Sequence, residues 1–364
     1  MPKRQKRFVF LVQGEGRGHM TQAIGLYQML IDHGHEVVHI FIGKSDRRHI
    51  PEYFFKSFDV PVELLDSPNF VSDPENKSIR LIPSILYNSK FLSRYKRSLT
   101  KIDQIIKNTN VDGIINFYDF LGGFYNFFYK SKIKFFAIGH QFLTDHPSFP
   151  FAQGKPLDKK LFLINNYLNS INAYKKIALS FTKYEPDHIG RTIIVPPILR
   201  KEISALQTFN ENFILGYMVN DGYSQEIIRW HKQNPDIPLQ CFWDKKDEPV
   251  IKKFDENLIF HQLNDKKFLD MMARCKGLIT TAGFESVCEA MYLGKPVLMV
   301  PVSGQYEQAC NALDATNAGA GIHDTYFNIS RFLNFISVYK NISACFKNWI
   351  SKTPETIVGE LTDF

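Results

Sequence analysis

A short apolar run that ends in three spaced glycines and a histidine constrains this chain more than any other stretch: Phe8-Val-Phe-Leu-Val-Gln-Gly14-Glu-Gly16-Arg-Gly18-His19. Phe8 to Val12 has the length and composition of a strand buried on both faces. The glycines make a turn where backbone can approach another group closely. Behind His19, Met20, Ile24, Tyr27, Leu30 and Ile31 recur at spacings of three and four, and Gly34 suits the C-cap, so a helix follows. A strand, glycine turn and helix aim backbone N–H groups and the helix dipole at one spot, which suits an anion. Three readings compete: a tight loop with an incidental histidine, a dinucleotide fingerprint, and a sugar-transfer site with His19 as base. The fingerprint needs G-x-G-x-x-G, whereas this turn reads G-x-G-x-G-H. The next strand, Glu36–Ile42, also ends in Gly43-Lys44 where an acidic residue is needed.

The same alternation continues along the chain. Val60–Leu65, Val111–Asn116, Ile133–Ile138 and Ile177–Phe181 read as strands, with helical stretches between them. Residues 66–80 and 139–156 read as loops, and Ile79–Ile106 as one or two helices. After Ile193-Ile-Val-Pro-Pro-Ile198 a second series begins: Phe213–Met218, Gln240–Trp243, Leu258–Phe260, Gly277–Thr281 and Pro296–Val300. Helices fit at 222–234, 265–275, 284–293 and 305–318, and the last stretch is helical. The pattern predicts an α/β protein of two Rossmann-like doubly wound domains, binding ligand in the cleft outside their strand C-termini. The expected division is residues 1–200, 201–340 and a helical tail, 341–364, packing back on the first domain.

Composition narrows the classes. A chain of 364 residues at 44% hydrophobic content builds two ordinary cores. No apolar run reaches the ~18–20 residues that span a bilayer, and Phe8–Val12 is too short for a signal segment. Five cysteines (Cys241, Cys275, Cys288, Cys310, Cys345) are odd in number and lack metal-site spacing, which predicts reduced thiols in the cytoplasm. The net charge of +7 gathers around Lys3–Arg7 and Arg80–Lys107. No nucleic-acid motif accompanies it, so no nucleic-acid partner is expected. Basic and apolar residues mix over Ile79–Ile106, where a solvated face and peripheral contact with an anionic membrane compete. The Phe/Tyr run Phe117–Tyr129 reads as core in preference to a lipid slot.

A second constellation lies at Thr280–Ala312. A strand ends at Ala282-Gly283 and a helix begins at once, leaving its first N–H groups free for a diphosphate. Glu289 sits one to two turns in, where a carboxylate could accept from a ribose diol. Ser303-Gly-Gln-Tyr-Glu-Gln308 opens another helix from the same rim.

This segment resembles the nucleotide-sugar signature of GT-B glycosyltransferases, roughly G-G-x-x-S-x-x-E-A-x-x-x-G-x-P followed by P, D/E-Q and N-A. Ala282-Gly283, Ser286, Glu289-Ala290, Gly294, Pro296, Pro301, Glu307-Gln308 and Asn311-Ala312 match it, and the turn ending in His19 matches the N-terminal motif of the same fold. The chain looks most like the transferase that makes peptidoglycan lipid II (MurG-like), the UDP-glycosyltransferases, and a bacterial and archaeal branch beginning G-E-G-x-G-H. The resemblance implies a GT-B fold and a hexosyl transfer from a nucleoside diphosphate sugar, weighted toward uridine. It implies inversion and no metal or other cofactor. His19 would act as base beside Gly16 and Gly18. Ala282, Gly283 and Phe284 would hold the diphosphate with backbone N–H groups beside Ser286. Glu289 would hold the ribose, and Glu307 and Gln308 the sugar, with Gln305 close by. The acceptor would be a cell-envelope glycan or a lipid-linked molecule, met in the cytoplasm or at the inner face of the membrane. Ala282 departs from the commoner glycine or serine, which costs little where backbone does the binding.

The mechanism is coherent with histidine's ordinary value of about 6.5. Asp119 is weighed between N-cap and acceptor contact, and His140 between loop packing and a site role. A non-catalytic sugar-nucleotide or glycan-binding protein, a sugar-nucleotide 2-epimerase and an oxidoreductase are the rival functions.

Overall fold

Strand β1 (Arg7–Gln13) is buried on both faces, and its alternate residues enter two different cores. Phe8, Phe10 and Val12 pack with Ala23, Leu26 and Leu30 of the helix Arg17–Asp32. Val9 and Leu11 pack with Leu99, Ile102 and Ile106 of the helix Leu92–Thr109. A strand sandwiched this way must be apolar at every position, which is why it reads as a run without alternation. The computed structural model describes residues 4–44, 50–68, 71–72, 79–80, 87–130, 132–154, 156–218, 221–245 and 247–364.

After β1 the first half contributes β2 (Glu36–Lys44), β3 (Val62–Asp66), a short pair β4 (Val71–Ser72) and β5 (Ile79–Arg80), β6 (Gly113–Phe117), β7 (Lys134–Ile138), β8 (Lys175–Leu179), β9 (His188–Ile189) and β10 (Thr192–Val195). Apart from the β4–β5 pair they form one sheet in the order β3-β2-β1-β6-β7-β8-β10-β9, parallel except where β9 meets β10. The second half contributes β11 (Ile214–Met218), β12 (Leu239–Trp243), β13 (Ile251–Lys253), β14 (Leu258–Gln262), β15 (Gly277–Thr280), β16 (Val297–Met299) and β17 (Gly321–His323). Their order is β13-β14-β12-β11-β15-β16-β17, parallel except at β13. The chain therefore folds into two doubly wound α/β sheets.

In each sheet the winding reverses direction once, between β1 and β6 and between β11 and β15. Loops diverge at such switch points and leave a crevice at the strand C-termini. The glycine turn leaves β1 at the first crevice, and Thr281–Gly283 leaves β15 at the second.

Two expectations are corrected. Ile79–Arg80 pairs as a strand with β4 and does not begin a helix. Residues 81–86 of the expected helix lie outside the described residues, as do parts of the loop 66–80. Residues 87–89 are helical, and the helix from Leu92 buries Tyr95, Leu99, Ile102 and Ile106 and leaves Arg94, Lys96, Arg97 and Lys101 on its exposed face. In the expected loop 139–156, His140–Asp145 forms a 3-10 helix. The final helices, Ser343–Ile350 and Thr353–Thr362, lie against the first half: Trp349 Nε1 donates to Ser180 O at 3.0 Å and Lys6 Nζ to Phe364 O at 2.9 Å.

Candidate functional site

The glycine turn is pinned to the neighbouring strand by a hydrogen bond from Gly14 N to Gly43 O at 2.9 Å. A Cβ on Gly14 would meet that carbonyl oxygen at 2.4 Å, so only glycine fits there. The turn opens directly into the helix Arg17–Asp32, and His19 lies in its first turn. One cleft of about 860 Å³ runs between the two halves. Its volume falls within the range of about 300–1,000 Å³ usual for small-ligand sites. It is lined by Gly16, Gly18, His19 and His140 from the first half and by Ala282, Gly283, Phe284, Ser286, Glu289, Gln305, Glu307 and Gln308 from the second. Asp119 is absent from that lining.

His19 is 8% exposed and held from several sides. Its Nδ1 lies 3.3 Å from Gln22 Oε1, and its ring stacks on Tyr118 with centroids 5.4 Å apart. Tyr118 adopts φ +60°, a region that disfavours bulky side chains. Hydrogen bonds between its hydroxyl and Asn165 and Asn166 hold it there. Burial pushes the His19 imidazole down to about 4, the Gln22 bond opposing the shift. The shift favours the neutral ring and takes the group below histidine's ordinary value of about 6.5.

Asp119 resolves as a cap. Its Oδ1 accepts from Leu121 N at 2.8 Å and from Ser67 Oγ at 3.0 Å, and burial pushes its carboxyl up to about 7. It faces the end of β2, not the cleft, so acceptor contact is withdrawn. His140 lies at the cleft edge but is turned into the packing. Its Nδ1 lies 2.7 Å from Leu179 O, and its ring stacks on Phe284 at 4.1 Å. Burial lowers it to about 4.

On the other wall, Gly283 caps the helix Phe284–Tyr292 without a side-chain hydrogen bond. The helix's first N–H groups and positive dipole end are thus available to an anion. Glu289 is 1% exposed and its Oε1 accepts from Arg200 Nε at 2.6 Å. Burial raises this carboxyl while Arg200 opposes the shift. Gln308 Oε1 accepts from Val302 N at 2.9 Å, so this side chain braces the loop after β16. Glu307 Oε1 accepts from Gln141 Nε2 at 2.9 Å. Ser286 Oγ turns back to Gly283 O at 3.4 Å, and Gln305 stands at the N-cap of the helix Tyr306–Asn317.

Sequence reasoning missed Gln22, Tyr118, Arg200 and Glu285 as cleft residues. Gln22 follows His19 by one helical turn, a spacing that could have flagged it. Glu285 lies between Phe284 and Ser286 in the same helix start, which could have flagged it; no local signal marks Tyr118 or Arg200, whose partners His19 and Glu289 are remote in sequence.

A family model described as glycosyl transferase family 1 matches residues 6–338. No curated protein matches the sequence. Among solved structures, Arabidopsis thaliana UGT89C1 complexed with quercetin is 13% identical, with a TM-score of 0.64 over 99% of this chain and 100% of that one. Acinetobacter baumannii MurG is 14% identical, with a TM-score of 0.56 over 98% and 99% of the two chains. LpCGTa in complex with UDP is 13% identical, with a TM-score of 0.61 over 99% and 100%. At such low identity these likenesses show the fold, which is GT-B.

Proposed function

The chain belongs to glycosyl transferase family 1 and is a glycosyltransferase, and on that premise we propose that it moves a sugar from a nucleoside diphosphate donor, a uridine nucleotide first, to an acceptor hydroxyl with inversion. The observation that carries this reading is the placement of His19 opposite the helix Phe284–Tyr292 across one cleft. His19 stands two hydrogen bonds, through Gln22, from Glu285 in the first turn of that helix. A diphosphate at this N-terminus gains negative charge as the glycosidic bond breaks, and the free N–H groups are directed at that charge. The transfer is read as metal-independent because the helix end can hold this charge. A neutral imidazole across the gap takes the proton of the attacking hydroxyl. Glu289 and Arg200 hold the ribose side, with Glu307 and Gln305 at the sugar.

A thermal-shift screen against UDP, GDP, TDP, CDP, ADP, NAD and NADP tests the donor. A nucleotide at 100 times its Kd stabilises by about 2.7 kcal/mol. UDP is expected to give the largest shift. A response to NAD alone overturns the reading.

We also propose that the acceptor is lipid-linked and met at an anionic membrane surface. No described helix is long and apolar enough to cross a bilayer. Phe127 and Phe128 on the helix Phe120–Tyr129, and Leu157, Ile164 and Tyr167 on the adjacent helix Pro156–Asn169, are nevertheless exposed. Ile164 also lines the cleft, which links this apolar surface to the site. Exposed Lys130, Lys132 and Lys160 stand near these residues in the chain and suit anionic headgroups. Vesicles containing anionic lipid are expected to float the protein at low salt, and neutral vesicles much less. Negligible flotation with both sinks the proposal.

A further inference from the structure

We propose that Glu285 is a positioning residue for His19: acting through Gln22 from the opposite wall of the cleft, it sets which imidazole nitrogen carries the proton and leaves Nε2 as the base. This rests on the reading of His19 as the base. Gln22 is 3% exposed and bonded at both ends. Its Nε2 donates to Glu285 Oε1 at 2.6 Å, and its Oε1 stands 3.3 Å from His19 Nδ1. A carboxyl oxygen that accepts from the amide nitrogen leaves only the amide oxygen to face the ring. That oxygen cannot donate, so Nδ1 must carry the hydrogen. A neutral imidazole has one N–H, and its lone pair is then on Nε2.

A second relay reaches the same answer from the other side. Gln141 Nε2 donates to Glu307 Oε1 at 2.9 Å and stands 3.5 Å from His19 Nε2. An amide nitrogen offers only hydrogens, so it suits an unprotonated Nε2. Both glutamines belong to the first half of the chain and both glutamates to the second. The tautomer of the base is thus dictated across the cleft, and the two halves must come together to impose it.

The glycine turn makes room for this contact, since a Cβ on Gly18 would stand 3.2 Å from Glu285 Cγ. Burial pushes the Glu285 carboxyl up to about 8. Oε1 accepts from Gln22, and Oε2 is buried without a hydrogen-bond partner.

The test is long-range ¹H–¹⁵N correlation on the full chain labelled with ¹⁵N-histidine, His19 being assigned by its loss in His19→Asn. Wild type is expected to carry the proton on Nδ1, and Glu285→Gln, which keeps an acceptor oxygen, to do the same. Glu285→Lys presents a donor, turns the Gln22 amide, and moves the proton to Nε2. Its kcat is expected to fall by about 10²- to 10⁴-fold, as for a histidine base held in the wrong tautomer. Glu285→Gln keeps kcat within threefold. Should Glu285→Lys fail to fold, Gln22→Leu removes the same relay and is expected to leave a mixture of tautomers. Protonation of Nε2 in wild type, or an unchanged tautomer in a folded relay variant, overturns the proposal. The spectrum needs neither donor nor acceptor, so the relay is judged apart from the transfer reaction.

Discussion

Replacing His19 with alanine is expected to lower kcat by roughly 10²–10⁴-fold, the usual contribution of a positioned base, while nucleotide affinity stays within a few-fold. The separation follows from the two walls of the cleft. His19 leaves β1, whereas the donor-side groups Gly283, Ser286 and Glu289 leave β15. A single-turnover assay beside nucleotide titration separates the two effects. Unchanged turnover would remove His19 from the chemistry, and parallel loss of nucleotide binding would make it a structural residue.

Acid titration adds a second arm to this prediction. Burial pushes His19 down to about 4, so the ring keeps its lone pair as the pH falls through its ordinary value. The acid limb of kcat/KM that belongs to His19 is therefore expected near pH 4. A limb at 6.5 that disappears in His19→Ala would show that the ring is solvated in the working enzyme.

Arg200→Leu is expected to destabilise the protein by about 3–5 kcal/mol, because it strands a buried carboxylate. Glu289 is 1% exposed, and its Oε1 accepts from Arg200 Nε at 2.6 Å. Its carboxyl is already raised by burial, so protonation would relieve part of the penalty and hold the loss toward the lower figure. The double variant Arg200→Leu/Glu289→Leu is expected to recover most of the stability, since replacing both members leaves no charge unpaired. Urea unfolding of the singles and the double measures this. A loss below 1 kcal/mol in Arg200→Leu would mean that the pair is effectively solvated. Glu289→Ala is further expected to weaken nucleotide binding by about tenfold, the loss of a hydrogen bond to a charged group.

Much of the fold is legible locally. A two-faced buried strand must be uniformly apolar, and a helix over one face must repeat every three to four residues. Phe8–Val12 and the residues after His19 obey both rules. The Ile79 region misleads because mixed apolar and basic residues suit an interfacial helix and a core-packed one equally. Only the burial of Tyr95, Leu99 and Ile102 decides between them. Asp119 likewise satisfies two rules at once, and the proximity of Ser67 and Leu121 makes it a cap.

What the sequence determined by itself is the alternating two-sheet architecture, with a glycine turn ending in histidine and a second turn opening the helix at Phe284. Those features live within a few residues of one another, so spacing alone expresses them. The tertiary structure decided the protonation and company of the groups that face the cleft. Glu285 reaches Gln22 across 263 residues of chain, and Arg200 reaches Glu289 across 89. It also decided that His19 is buried. Desolvation and hydrogen-bond direction depend on what surrounds a group in space, and those surroundings exist only once both sheets have formed and closed on the cleft.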